Sequence, residues 1–223
     1  MTEGKKSNAN VWKVLAGVLV IFSFALGIWA YPQLPEQVPS HWNASGQVDG
    51  YTNALGGAFL LPAILLGVYI LLWIIPKIDP KKENYQKMGK AYWVSAFFVT
   101  LVLSGVHIFA IAAALEITPS KQDLPIAWIN IMIGLLFIIL GNYMGKIKPN
   151  YTFGIRTPWT LANEEVWKKT HRFSGPVMLG AGVITIAAAF LPVSWNFGIM
   201  MVAVGGSAII EIVYSYIVFK KIN

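Results

Sequence analysis

The cations of this 223-residue chain are confined almost entirely to alternate connections between long apolar stretches. Each stretch is near the ~20 residues that cross ~30 Å of hydrocarbon. If the N-terminus is cytoplasmic, sixteen of the seventeen Lys and Arg residues lie on the inner side, and only Lys121 lies outside. Translocating cations against the membrane potential is unfavourable, so this bias fixes orientation. The six stretches are Val11–Ala30, Leu55–Ile75, Ala91–Leu115, Ile126–Met144, Phe173–Leu191 and Trp195–Phe219.

The sequence therefore predicts an all-α integral membrane protein, a bundle of six transmembrane helices with both termini in the cytoplasm. Only 12% of the residues are charged, against about 25% in soluble domains. The net charge of +7 does not indicate nucleic acid, because the cations flank apolar spans. Their expected partner is the anionic inner leaflet of the lipid bilayer.

Two connections are long and rich in sequence features, an outer one over Tyr31–Ala54 and an inner one over Gly145–Gly175. They predict two regions. Residues 1–76 would form a helix pair that carries the ordered outer loop, and residues 77–223 a four-helix region that carries the inner loop.

The outer loop is a candidate ligand-binding surface. Three prolines favour an extended start, and the Asn, Gly and Asp residues that follow favour turns. His41 and Asp49 are too few ligands for a zinc site, so we predict no metal. They either hydrogen-bond the loop backbone or recognise an external ligand. The candidate residues are His41, Trp42, Asn43, Asp49 and Tyr51.

The inner loop predicts a turn followed by a capped helix. Pro158 is well placed to open a new element, and Asn163 resembles an N-cap before Glu164 and Glu165. A short amphipathic helix on the inner surface would follow, either lying on the membrane or docking a cytoplasmic protein. The candidate docking residues are Asn142, Asn150, Arg156, Thr157, Pro158, Trp159, Trp167 and His171.

Two ionisable residues lie inside the apolar stretches, where such groups are costly and usually face the bundle interior. His107 and Glu211 differ in depth by about two helical turns, so direct contact is not expected. Glu211 is predicted to bond the fourth helix, near Asn142, or to pair with Arg156. An ion pathway is the alternative.

Small residues thin several helix faces and predict close packing within the bundle, with a homodimer as the alternative. They are Gly141, Gly145, Gly180, Gly182, Gly205 and Gly206.

Both loops resemble the SdpI family of bacterial membrane proteins. The outer loop matches the PxHWNxxGxxDGY segment of the N-terminal domain that often precedes that family's region, at Pro39, His41, Trp42, Asn43, Gly46, Asp49, Gly50 and Tyr51. The inner loop resembles the family signature at Gly141-Asn142, Pro149-Asn150, Gly154, the run from Arg156 to Leu161, Trp167, Thr170-His171 and Gly175.

This resemblance implies a multi-pass protein of the bacterial cytoplasmic membrane that gives immunity to a secreted antimicrobial peptide toxin. It also implies a receptor that holds a cytoplasmic autorepressor at the membrane. The alternative function is an ion or small-molecule transporter that uses Glu211, Asn142 and His107. No Ser–His–Asp order, HExxH motif or paired carboxylates appear, so we expect neither an enzyme nor a cofactor.

Overall fold

The structure is a computed structural model that describes residues 3–117 and 124–222; Lys121 lies outside the described residues. Six long helices run through it: α1 (Glu3–Ala30), α2 (Ala54–Ile78), α4 (Lys90–Ala114), α5 (Leu124–Met144), α7 (Glu164–Ala188) and α8 (Val193–Ile222). The smaller elements are a 3-10 turn (Tyr31–Gln33), the strands β1 (Val38–Trp42) and β2 (Val48–Thr52), and the short helices α3 (Glu83–Lys87) and α6 (Pro158–Ala162).

Five helices in the described part of the chain are long and apolar enough to cross a membrane: Ala9–Gln33, Ala54–Ile78, Lys90–Ala114, Pro125–Met144 and Val193–Ile222. α7 is not among them, because its first half carries Glu164, Glu165, Lys168, Lys169 and Arg172. The chain is therefore a helical membrane protein with five such spans, and the predicted sixth span depends on how α7 lies.

Local signals for helix starts are confirmed. The side chain of Asn163 accepts hydrogen bonds from the backbone N–H groups of Glu165 and Val166. Thr157 and Thr160 form a capping box at the start of α6, with Pro158 at its first position. These side chains satisfy N–H groups that have no partner within the helix.

The helix after Asn163 is amphipathic, as predicted, but the prediction that it is a separate short helix on the inner surface is wrong. Residues 164–188 form one continuous helix, and Val166, Trp167, Thr170 and His171 are buried in it. This face packs on α5 and α6. An apolar stripe with helical periodicity is found on helices that pack against lipid and on helices that pack against protein. The sequence pattern therefore did not distinguish a helix on the membrane surface from one within the bundle.

The long helices form two groups of three. The N-terminal unit is α1, α2 and α4, and the C-terminal unit is α5, α7 and α8. Within the N-terminal unit, Lys13 Nζ lies 5.0 Å from the ring centre of Trp73 and 4.6 Å from that of Trp93. Among the long helices, the two units meet mainly along α4 and α5.

β1 and β2 form an antiparallel hairpin in which His41 pairs with Gly50 and Trp42 with Val48. The sequence predicted an extended start and turns, but not this pairing. Trp42 contacts Phe109 near the C-terminal end of α4, whereas the cations of the inner loop lie beyond the C-terminal end of α5. Because α4 and α5 run antiparallel, the hairpin end and the basic end of the bundle are opposite one another.

Glycine packing is confirmed at part of the predicted positions. A Cβ atom at Gly141 would lie 2.7 Å from the carbonyl oxygen of Gly175, and one at Gly182 would lie 2.6 Å from that of Gly134. These contacts bring α5 and α7 into close approach. The prediction of close packing is wrong for three other glycines. A Cβ atom added to any of them would meet no neighbouring element within 4 Å: Gly180, Gly205 and Gly206.

We expect Gly141→Ala to destabilise the bundle by about 1–3 kcal/mol, because the new methyl group must push α7 away from α5. Gly180→Ala is the matched control. Its methyl group meets open space, so its unfolding midpoint should equal or slightly exceed that of the parent. Thermal unfolding in detergent micelles measures both variants. Equal losses in the two variants would contradict the glycine packing between α5 and α7.

Candidate functional sites at the two ends of the bundle

The hairpin presents an exposed pair of side chains. His41 Nδ1 lies 2.5 Å from Asp49 Oδ1, and the two side chains are 70% and 44% exposed. The prediction that they bond the loop backbone is wrong, because the pairing of His41 with Gly50 brings Asp49 within reach across the strands. Within residues 3–117 and 124–222, no group of three or more His, Asp or Glu side chains could hold a metal ion.

The other predicted residues of the outer loop separate into structural and exposed positions. Asn43 Oδ1 accepts hydrogen bonds from the N–H groups of Ser45 and Gln47, at 2.9 and 3.0 Å, and so closes the hairpin turn. Tyr51 is 58% exposed. Of the five predicted ligand-binding residues, His41, Asp49 and Tyr51 are therefore the exposed ones.

The basic end carries an irregular loop over residues 145–157 that is organised around Asn150. This side chain is fully buried. Its Oδ1 accepts from the N–H groups of Thr152 and Phe153, at 2.9 and 2.6 Å. Its Nδ2 donates to the carbonyl groups of Lys148 and Phe153. With all these groups bonded, an otherwise unsupported backbone is held in one shape.

His171 and Trp167 hold this loop against α7. His171 Nε2 accepts a hydrogen bond from the N–H of Ile155 at 3.0 Å. Its Nδ1 must then carry the proton and donate to the carbonyl of Trp167, at 2.9 Å. The Trp167 indole donates to the carbonyl of Ile147. Gly154 has φ +114°, and a Cβ atom there would lie 2.5 Å from His171 Nε2, so only glycine fits.

The second half of the loop docks on α8. Thr157 Oγ1 lies 3.1 Å from Ser215 Oγ, and the rings of Trp159 and Tyr216 are 5.1 Å apart. Arg156 points outward and donates to the carbonyl of Tyr151 at 2.6 Å. Of the predicted docking residues, only part remains exposed, and Thr157, Trp167 and His171 serve to hold the loop.

Sequence reasoning missed Asp79, which connects the two units at the basic end. This carboxylate is 4% exposed and follows α2. Its oxygens accept hydrogen bonds from Tyr85 Oη (2.9 Å), Thr152 Oγ1 (3.2 Å) and the N–H groups of Lys81 and Tyr151 (2.7 and 3.0 Å). Two of these donors belong to the connection after α2 and two belong to the loop after α5.

Electrostatics at Asp79 favour the charged form. Burial alone would raise the pKa of Asp79, but the four hydrogen bonds outweigh it and hold that pKa below its ordinary value. Burial raises the pKa of Tyr85, so this hydroxyl keeps its proton and remains a donor. Asn84 adds a further link between the same connections, from its Nδ2 to the carbonyl of Pro149 at 2.7 Å.

Known families and proteins match the segments that carry both loops. The SdpI/YfhL protein family matches residues 146–215, and a domain of unknown function (DUF1648) matches residues 18–66. Immunity protein SdpI of Bacillus subtilis (strain 168) is 29% identical over 94% of this chain and 97% of its own length. Uncharacterized membrane protein YbgB of the same organism is 32% identical over 46% of this chain and 92% of its own length.

The chain belongs to the SdpI/YfhL family. It is a multi-pass bacterial membrane protein. No solved structure matches it. The match to the SdpI/YfhL family covers the loop at the basic end, α7 and most of α8, whereas the match to the domain of unknown function covers the hairpin and the adjoining half of each flanking helix.

In this member of the SdpI/YfhL family, Glu211 makes neither the predicted hydrogen bond to α5 nor the predicted ion pair with Arg156. Glu211 is 7% exposed, and its Oε1 has no hydrogen-bond partner in the described part of the chain. Arg156 bonds Tyr151 instead, and Asn142 is exposed on α5. His107 is buried on α4 in the other unit. The three residues Glu211, Asn142 and His107 thus lie on three helices without a bond between them.

We expect Asp79→Asn to destabilise the protein by about 2 kcal/mol, since hydrogen bonds to a charged acceptor are stronger than those to a neutral one. Because the pKa of Asp79 is lowered in the folded state, its carboxylate stabilises the fold above the ordinary value of 3.8. That stabilisation is lost as pH falls through the folded pKa. The parent should therefore lose more stability than Asp79→Asn between about pH 6 and about pH 3.

Thermal unfolding in detergent across this pH range measures the difference. The matched control is Glu83→Gln, which removes an exposed carboxylate from the neighbouring α3 and should leave both the midpoint and its pH dependence unchanged. If Asp79→Asn tracks the parent at every pH, the carboxylate does not hold the two connections together.

Proposed function

We propose that this protein protects the cell that makes it against a secreted antimicrobial peptide. The observation that carries the proposal is the likeness to Immunity protein SdpI along nearly the whole chain. The positions of the two ends of the bundle agree with such a role. One end presents an exposed hairpin, and the opposite end presents a basic loop held by buried hydrogen bonds.

In this proposal the chain crosses the membrane six times, with both termini and the basic end in the cytoplasm. α7 supplies the sixth span. It is one continuous helix that packs on α5 and α8, and the ring of Phe173 stacks on that of Tyr214 in α8, with centres 3.8 Å apart. Its charged half lies at the basic end, where lipid headgroups and water meet the bundle, and its second half is apolar.

The toxin would meet the hairpin. His41, Asp49 and Tyr51 are exposed on strands whose buried side is fixed to α2, because Val38 is 1% exposed and packs on Gly57. A ligand that binds one arrangement of the bundle better than another shifts the population toward it. Engagement of the hairpin would in this way change the basic end.

The basic end would hold a cytoplasmic repressor, which gives the protein its second role as a receptor. Its exposed cations supply an electrostatic surface for an acidic partner. They include Arg156, Lys168, Lys169 and Arg172. Lys169 is partly neutralised by Glu165, at 2.8 Å on the helix surface.

A transporter is less well supported. The residues expected to line a pathway, Glu211, Asn142 and His107, do not come together. The unpaired oxygen of buried Glu211 is the observation in its favour. Flux through reconstituted vesicles that disappears in Glu211→Gln would favour transport over immunity.

Protection of sensitive cells tests the immunity role. Cells that express the protein should survive a challenge with candidate antimicrobial peptides, and His41→Ala should reduce survival at least about tenfold, since truncation of a dominant contact costs about 2 kcal/mol or more. Ser40→Ala, an exposed neighbour on the same strand, is the control and should protect fully. Absence of protection by the parent, or equal protection by the parent and His41→Ala, would contradict the proposal.

A further inference from the structure

Two buried or half-buried side chains of β1 pack against the long helices. Val38 packs against Gly57 of α2, which belongs to the N-terminal unit. Trp42 meets Phe109 of α4 edge-on, with ring centres 5.7 Å apart and planes at 63°. Trp42 therefore contacts α4, the helix of the N-terminal unit that packs on α5 of the C-terminal unit.

Phe109 touches both sides of this seam. Its ring stacks on that of Trp128 in α5, with centres 6.3 Å apart and planes at 20°. Trp128 is also tied to α4 by a hydrogen bond from its Nε1 to the carbonyl of Gly105, at 3.1 Å. Gly105 leaves just enough room for α5, because a Cβ atom there would lie 3.0 Å from Met132 Sδ. One ring thus links the hairpin to the first helix of the C-terminal unit.

Movement of α5 carries the rest of the C-terminal unit with it. Gly134 with Gly182, and Gly141 with Gly175, bring the backbones of α5 and α7 too close to slide independently. Packed interfaces of this kind change between discrete arrangements rather than deforming gradually. The loop at the basic end is anchored on this unit through Thr157 and Ser215 and on the N-terminal unit through Asp79. A shift between the two units therefore pulls the loop against one of its two anchors.

We propose that Phe109 couples the hairpin to the basic end: the ring series Trp42–Phe109–Trp128 sets how α4 and α5 pack and thereby how firmly the loop over residues 145–157 docks on α8. Phe109 and Trp128, both half-buried, are positioning residues in this scheme, since they act through the packing of Trp42 and not by contact with the ligand. The inference rests on the proposed receptor function and names its internal connection.

The chain contains no cysteine, so a single introduced thiol can report on loop docking. Ser215 is fully buried beneath the loop, and Ser215→Cys should react with a membrane-impermeant maleimide only when the loop lifts from α8. In inside-out vesicles, Trp42→Ala should raise this labelling rate about threefold, within the range of coupling effects at a distance. No peptide is needed, so failure of the coupling is distinguishable from failure of the immunity role, which survival assays measure.

Combining Trp42→Ala with Phe109→Leu tests whether the effect of Trp42 passes through Phe109. In Phe109→Leu, the labelling rate should already be raised, and adding Trp42→Ala should change it no further. Trp128→Leu should match Phe109→Leu, whereas Trp128→Phe keeps a ring against Phe109 and should stay closer to the parent. The matched control is Trp29→Ala, which removes a 53% exposed tryptophan from the same end of the bundle and should leave the rate unchanged.

Two results would overturn the coupling. The first is an equal effect of Trp42→Ala in the parent and in Phe109→Leu. The second is faster labelling by the same factor at Ser95→Cys, a buried position of α4 near the basic end, because general loosening of the bundle would then account for the change.

Discussion

A lipid bilayer offers no water to backbone N–H and C=O groups, and this constraint shapes the whole chain. The long apolar segments therefore satisfy their backbone groups within helices, and the irregular backbone lies at the two ends of the bundle. There it depends on side chains for its hydrogen bonds. Asn43 supplies them at the hairpin turn, and Asn150 and Asp79 supply them at the basic end.

Different interactions join the two three-helix units at the two ends of the bundle. At the hairpin end the junction is aromatic, and Trp128 adds one hydrogen bond to α4. At the basic end the junction is a buried carboxylate with four donors. Breaking the junction at the basic end leaves a buried carboxylate without its hydrogen-bond donors, which is costly. The aromatic rings at the hairpin end can change their packing at a smaller cost in free energy. The hairpin end is thus the more adaptable junction, which suits the end that would meet a toxin.

Much of the architecture was predictable from sequence because apolar length, charge bias and N-cap residues act locally. The helix after Asn163 and the turn at Pro158 follow from such signals. Contacts between distant segments did not follow. In the sequence, nothing distinguishes Asp79 from other polar residues after an apolar stretch, because its partners lie in the loop after α5. Arg156, expected to pair with Glu211, instead donates to the carbonyl of Tyr151 within that loop. The pairing of His41 with Asp49 needed the register of the hairpin.

The central claim is that the hairpin and the basic loop lie on opposite sides of one membrane. Because the chain has no cysteine, single cysteines at Ser40 in the hairpin and at Lys168 in α7, both exposed, report sidedness directly. In intact cells, a membrane-impermeant maleimide should label Ser40→Cys and not Lys168→Cys, and disruption of the membrane should expose both. Labelling of both positions in intact cells, or of neither, would contradict the account.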